Sequence, residues 1–424
     1  MYWYHATTKH SYNSVRTNPN RLAWEDQPST YKNYPHSFKK VKLNLDHEED
    51  NFLYYIAGLT AKKSYPSGEY YLRINPSAGA LYPNELYFQS RGVEGREDGI
   101  YHYEVSSASL TLLQSLNNAQ GLEPYFGYKT EMCGYLFLVS AIYYRSSWKY
   151  KNRAFRYCLL DAGHLLGSIE ASALLKSQSV VVQYRIEREK LNRMFGFANK
   201  EWFLAGASMA TPMVGTVAKA IEFELPYVEG SRSFEQNRVI EQAYDESMHL
   251  TSCTSQIESA KFSYEPVKLQ ETLFKRRSQR GFNGGAITKG EFHTICDALY
   301  QPIPSDCDEE VQIYMVMNRV LDMPIGLYKE GRYLSYGDYA QKAGYLSLEQ
   351  YTLSEQGAVA FFLTSKSENY QALYQKAGII GQRLYVCAEY LDIGCSGIGA
   401  YYDDEVNAFV GNDEMVLYAL AIGK

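Results

Sequence analysis

The residue pattern best suited to chemistry is RRSQRGF at positions 276–282. Arg276, Ser278 and Arg280 stand at i, i+2 and i+4, so an extended backbone turns all three to one side and Arg277 to the other. Two guanidinium forks and a hydroxyl suit a phosphate dianion. On a helix Ser278 would instead face away from the arginines, leaving a solvated basic face. A second stretch, RINPSAGALYPNELYF at 73–88, places Pro76, Ser77, Ala78 and Gly79 ahead of an alternating apolar segment that reads as a strand. Side chains this small let a flat ligand approach the backbone closely, although the same composition also describes an ordinary loop before a strand. A third stretch, Gly397-Ile398-Gly399 within GCSGIGA, would bring backbone amides close to such a ligand, or form only a turn.

Other chemistries find less support. No GxGxxG fingerprint follows a strand, which argues against a nicotinamide-binding Rossmann domain, and neither a GxSxG elbow nor an HExxH motif occurs. His164, among Ala162, Leu165 and Leu166 on an expected helix, reads as a satisfied core or interface histidine. No second ligand stands near it at metal spacing, so no metal is expected. The 7 cysteines are scattered without CxxC spacing and read as small buried hydrophobes. Tyrosine is common, 40 of 424 residues, which raises β-propensity and supplies stacking surface but names no ligand.

The elements that must carry these stretches follow from length and pattern. A chain of 424 residues suggests two domains, and a net charge of −6 with 46% hydrophobic residues is an ordinary globular balance without the basic excess that nucleic acid would call for. No secretion signal and no apolar run of the roughly 18 residues a membrane span needs are found, so a cytoplasmic protein is expected. Residues 1–50 read as an irregular arm. A helical pattern begins near Asn51, strands are expected at 86–88 and 99–103, a helix at 109–120, a buried strand at 133–144 and a long helix at 155–175. Gly423-Lys424 would add a cation near a phosphate, or fray.

The chain also matches itself. A shift of 215 residues pairs Ala162-Gly163 with Ala377-Gly378, Asn192 with Asn407 and Gly196 with Gly411; a shift of 227 pairs Tyr87, Val93, Gly99 and Tyr101 with Tyr314, Val320, Gly326 and Tyr328. Two copies of one α+β unit are therefore expected, at 1–230 and 269–424, joined by a polar connector at 231–268. They have lost different parts: PSAGA belongs to the first copy, RRSQRGF and the GIG stretch to the second. Complementary loss is what a fused dimer shows when one composite site is kept.

Together the three stretches resemble the flavin-binding loops of the nitroreductase fold. RINPSAGALYPNELYF, with AFRYCLLDAGH downstream, resembles specifically the SagB/ThcOx-type FMN-dependent dehydrogenases, which oxidise azoline rings in ribosomally made peptides. YHATTKHS and LAWEDQPSTYKNYP resemble that family's opening arm. The resemblance implies two tandem nitroreductase-like domains forming an intramolecular pseudo-dimer, with FMN as cofactor. The phosphate would be gripped by Arg276, Ser278 and Arg280, and the ring approached by Pro76 to Gly79 and Gly397 to Gly399. It also gives weight to Lys149-Tyr150, an unremarkable step by itself, as the catalytic pair, with Tyr150 as base and Lys149 lowering its pKa, or the roles exchanged. Phe155 and Cys158 depart slightly from the family pattern. The implied partners are an azoline-bearing peptide and a cyclodehydratase complex. An NAD(P)H-dependent nitroreductase or quinone reductase, and a non-catalytic scaffold subunit of a peptide-modifying complex, stay open as alternatives.

Because one set of loops survives across the two copies, one FMN per chain is expected. Flavin released by heat and quantified against protein should approach one equivalent, and two equivalents would contradict a single retained site.

Overall fold

A computed structural model describes residues 1–18, 22–65, 68–251, 253–256 and 258–424. The chain divides into two compact units, one of Leu22–Ala260 with Pro302–Asp308, the other of Met1–Arg21, Lys261–Gln301 and Glu309–Lys424.

The first unit is built on an antiparallel sheet. Its strands lie in the order Lys40–Lys42, Ser109–Ser115, Gly99–Glu104, Asn84–Arg91, Met132–Ala141, Trp202–Pro212 and Val181–Gln183. Asn84–Arg91 and Met132–Ala141 run side by side in unbroken register, Phe88 opposite Phe137, and both are almost wholly buried. Covering both faces accounts for the near-continuous apolar run of the Met132–Ala141 strand. The 21-residue helix Ala154–Leu174 is buried along nearly its whole length, as a helix apolar or small on every side must be. Asn84 fastens strand to helix by donating from its side-chain amide to the carbonyls of Ser140 and Cys158. Deeper in this unit Lys32 and Glu201 pair at 2.6 Å with both side chains fully buried, and Tyr87 and Ser140 donate to the same carboxylate. Those bonds offset the desolvation of the charges.

The second unit repeats the topology. Its sheet runs Arg332–Tyr336, Gly326–Lys329, Gln312–Met317, Val359–Ser365, Met415–Gly423, Gly394–Ile398, the order of six of the seven strands above. Its long helix, Tyr370–Tyr390, answers Ala154–Leu174 at nearly the 215-residue shift. Gly99 and Gly326, paired by the 227 shift, each open a strand. The expected duplication of one α+β unit is thus present in the strand order of each sheet.

Three local expectations fail. The helix expected at 109–120 is the strand Ser109–Ser115, because Ala108 adopts a left-handed turn (φ 48°) that folds SLTLLQS back onto Gly99–Glu104, with Leu110 opposite Tyr103. The N-terminal arm is helical at Tyr2–Thr7 and Tyr12–Arg16, and residues 1–21 belong with the C-terminal unit rather than the first copy. Buried Tyr4 packs edge-on to Tyr370 at 5.9 Å, His10 donates its backbone N–H to Asp403, and Arg16 pairs with Glu349 at 2.7 Å. The connector expected at 231–268 likewise divides, since its helix Arg238–Ser247 belongs to the first unit, where Tyr244 stacks on Trp202 at 4.5 Å. Ser252, in the turn expected at 251–255, lies outside the described residues. No helix among the described residues is long and apolar enough to cross a membrane.

Candidate functional site

In the first unit the small-residue loop is held from below by a carboxyl group. Ser77 donates its hydroxyl to Asp161 Oδ2 at 2.5 Å, the Ala78 N–H points to Asp161 Oδ1 at 3.1 Å, and the Tyr82 N–H donates to Ser77 Oγ at 2.9 Å. Burial pushes the Asp161 carboxyl up to about 7, against the opposing pull of the Ser77 and Ala78 donors. The loop needs such a hold: Gly79, Ala80 and Tyr82 all have positive φ (64°, 54° and 45°), a conformation that costs a non-glycine residue about 1 kcal/mol or more. A second hold comes from Arg145, whose Nη1 donates to the Tyr82 carbonyl at 2.9 Å and to Glu85 at 2.6 Å. Burial alone would push Glu85 up, but Arg145, His102 and Arg73 outweigh it and hold the carboxyl down at about 2. Removing either partner of such a buried pair strands a charge, at a cost of roughly 3–5 kcal/mol.

Arg145 also ties this loop to Lys149 and Tyr150, the last two residues of the helix Tyr144–Tyr150, which ends at Lys151 with φ 48°. A Cβ on Gly79 would lie 2.7 Å from Tyr150 Oη and 3.1 Å from Lys149 Nζ, so both side-chain ends reach this glycine, whose positive φ also favours it. Pro76, Ser77, Ala78 and Gly79 are therefore brought together with Lys149 and Tyr150. The expected acidity of Tyr150 is not met. Burial pushes its phenol up, Tyr157 and Asp161 push the same way, and Lys149 Nζ, 5.3 Å from the ring centroid, does not offset them. Tyr157 lies against the Tyr150 ring at 4.4 Å.

The second unit holds the other cluster. The helix Pro266–Lys275 stops at Arg276, and the chain then runs extended along the outer edge of Gly394–Ile398, with a bridge between Ser278 and Cys395 and a bond from Gln279 N–H to the Cys395 carbonyl at 3.0 Å. Arg276 is 3% exposed, its guanidinium 5.1 Å over the Tyr385 ring, whereas Ser278 and Arg280 are exposed; the arginines thus do not share one environment as the alternation had implied. Arg277 turns back, donating to the carbonyls of Phe274 and Arg276. Glu389 is the acid near Arg276 and Arg277; burial pushes its carboxyl up and the two arginines oppose this. Gly397 does not offer its amide to a ligand, as the sequence had suggested, because that N–H donates to Tyr385 Oη at 2.6 Å. It is glycine for another reason: a Cβ there would lie 2.0 Å from Tyr418 Oη. Ile398 is buried and paired with Ala419, and Gly399 follows at the strand's end. Lys424 does not fray, since its carbonyl accepts from Asn283 N–H at 2.7 Å and its ammonium pairs with Glu291 at 3.2 Å. The exposed hydroxyl and guanidinium of Ser278 and Arg280 are a donor set that fits a phosphate.

Sequence reading had missed Asp161, Arg145, Glu85 and Tyr385. An acid inside the apolar run CLLDAGHLL was a legible signal for Asp161; Tyr385 gave none, being one tyrosine among 40.

Residues 273–424 match the Nitroreductase family. Over 96 residues, 22% of this chain and 48% of the other, the sequence is 31% identical to a nitroreductase-type protein of Methanocaldococcus jannaschii. Over 110 residues, 24% of this chain and 29% of the other, it is 30% identical to the trifolitoxin-processing protein TfxB of Rhizobium leguminosarum bv. trifolii. The chain spans less than half the length of these curated relatives. The crystal structure of a nitroreductase-type protein from Anabaena variabilis superposes with a TM-score of 0.82 at 26% identity, over 100% of this chain and 99% of the other. The chain has the mixed α/β nitroreductase fold.

The Asp161 environment generates a pH prediction. A free carboxyl titrates near 3.8 and the buried one near 7, so between these values the native state binds the extra proton and this group's contribution to stability falls as pH rises. In urea unfolding from pH about 4 to about 8, wild type should lose stability relative to Asp161→Asn up to about pH 7, with a constant difference beyond. Parallel pH profiles for the two proteins would contradict a buried, late-titrating Asp161.

Proposed function

We propose that this chain is an FMN-dependent oxidoreductase that converts thiazoline or oxazoline rings of a ribosomally made peptide to thiazoles or oxazoles, as the single-chain counterpart of a two-subunit flavoprotein. The observation that carries the reading is the convergence of Lys149 Nζ and Tyr150 Oη on the face of Gly79. Two polar side-chain ends are thereby held together against the small-residue loop. The match of residues 273–424 to the Nitroreductase family supports the cofactor, and the similarity to a trifolitoxin-processing protein supports a role in processing a peptide, with a cyclodehydratase complex as the proposed partner.

Aromatising an azoline removes a proton from one ring carbon and a hydride from its neighbour. FMN, when bound, supplies the hydride acceptor. Tyr150, with its phenol pushed up by burial, keeps its proton at neutral pH and can give a hydrogen bond but not take the substrate's proton. Proton removal is then assigned to Lys149, the exchanged form of the roles first expected. On the phosphate side, Ser278 and Arg280 would donate to the anion, with Arg276 anchored on Tyr385.

Lys149→Ala and Tyr150→Phe should each retain the flavin spectrum and lose azole formation by about 10²- to 10⁴-fold, measured by the mass change of an azoline peptide under oxygen. Tyr157→Phe, which keeps the ring that packs on Tyr150, should stay near the parent rate. If both site variants oxidise the peptide normally while the protein reduces a nitroaromatic with NAD(P)H, a nitroreductase is the better reading; a colourless protein inactive in both assays would favour a scaffold.

The phosphate grip has its own test. A charge-assisted hydrogen bond contributes about 1.5–3 kcal/mol, so Arg280→Ala should weaken FMN binding roughly 10- to 150-fold. Arg277→Ala, whose guanidinium is turned back on its own helix, should do much less. Equal losses in a flavin titration would reject this division of labour.

A further inference from the structure

The two sheets differ at the edge opposite the one that Gly394–Ile398 forms. In the first unit the strand Ser109–Ser115 is not the last of its sheet, because Lys40–Lys42 pairs antiparallel along its outer side, Lys40 opposite Thr111 and Lys42 opposite Ser109. This cover runs one residue further at each end: the Leu112 N–H donates to the Lys39 carbonyl and the Leu43 N–H to the Ala108 carbonyl, both at 2.9 Å. Charge fastens it, Lys40 pairing with Glu104 at 2.9 Å and Lys39 with Glu97. In the second unit the equivalent strand, Arg332–Tyr336, closes the sheet, paired among the described residues along one side only, with Gly326–Lys329.

An open edge strand presents N–H and C=O groups on which another strand can pair. Arg332–Tyr336 is short and its pairing shifts register between Leu327 and Tyr328, two features that restrain indiscriminate association. Its side chains act the other way: Tyr333, Leu334 and Tyr336 are 48%, 49% and 71% exposed, three large apolar groups within five residues. The open stretch ends where Tyr339 Oη donates to the Tyr336 carbonyl at 3.2 Å. The charges differ from those of the first unit as well. The 227-residue shift puts Pro324 and Gly331 where Glu97 and Glu104 fasten the basic cover, and the edge itself carries exposed Arg332. Glu330, the acid of the turn before it, is turned back to accept from the Ile313 N–H at 2.6 Å.

We propose that Arg332–Tyr336 is a docking strand for an extended, acidic and apolar segment of a polypeptide, added to this sheet as Lys40–Lys42 is added to the other. That the polypeptide is the peptide substrate rests on the function proposed above. Main-chain pairing supplies the affinity, the exposed tyrosines and leucine select apolar side chains, and Arg332 selects an acid.

The test is fluorescence anisotropy of a labelled peptide, Glu-Val-Thr-Val-Glu-Val, titrated with the full chain. An analogue with methylated backbone nitrogens should bind roughly 10-fold more weakly or worse, as should one with lysine in place of glutamate. Arg332→Glu, at an exposed position that leaves the fold alone, should reverse the preference between the acidic and basic peptides. Binding indifferent to methylation, or a preference unchanged in Arg332→Glu, would overturn the proposal. So would a chain that ignores both peptides and sediments as a dimer that Arg332→Glu dissociates, since the edge would then receive a second copy. Azole formation without Arg332-dependent binding overturns the docking strand alone, whereas Arg332-dependent binding by a chain that forms no azole overturns the proposed function and leaves the docking strand in place.

Discussion

Asp161 is an acid enclosed in an apolar helix, and its two acceptor oxygens are what the small-residue loop is built around. A loop with three left-handed residues within four positions does not hold itself, because Ala80 and Tyr82 would relax to ordinary φ values if nothing opposed them. Asp161 fixes the loop's beginning through Ser77 and Ala78, and Arg145 fixes its end through the Tyr82 carbonyl. The holds come from two consecutive helices, Asp161 from Ala154–Leu174 and Arg145 from Tyr144–Tyr150, and the latter also presents Lys149 and Tyr150. The strain stored in the loop is offset by these buried hydrogen bonds, from the Asp161 carboxyl at one end and Arg145 at the other.

The second unit uses the same fold for a different task. In each sheet an edge strand beside the last long strand is covered by a neighbouring segment: Val182 bridges Ser305 in one unit, and Cys395 bridges Ser278 in the other. The duplicated topology thus offers the same edge twice. What differs is the side chains along that edge, which include Gly397 in the second unit but no glycine in Val181–Gln183 of the first. The glycine leaves space for a tyrosine hydroxyl above the strand, and there the covering segment carries three arginines and a serine. The two sheets share a strand order while the side chains along this edge differ.

Hydrogen-bond direction, more than proximity, decides what the clusters can do. Gly397 lies close to the RRSQR segment, yet its amide is already committed to Tyr385. Tyr150 stands beside a lysine, yet the apolar surroundings that hold it in place also hold its proton. In both cases the group that first draws notice acts through, or yields to, its neighbour: Ser278 in the one cluster, Lys149 in the other.

Much of this was legible in the sequence. Alternation gave the strands near 86–88 and 99–103, the small and apolar run gave the helix Ala154–Leu174, and self-comparison gave the duplication, since Gly99 and Gly326 open equivalent strands. These are matters of local period and order, and both are written along the chain. The strand at Ser109–Ser115 was misread because its identity comes from pairing with Gly99–Glu104 and not from its own spacing. The acidity of Tyr150, the commitment of the Gly397 amide, and the roles of Asp161 and Tyr385 were beyond sequence reading for a deeper reason. Each depends on burial or on one specific partner: Asp161 lies 84 residues from Ser77, and Tyr385 lies 107 from Ser278. Residue type and spacing determined which groups were available, whereas desolvation and the choice of hydrogen-bond partner, which exist only once distant segments meet, decided what each group can do.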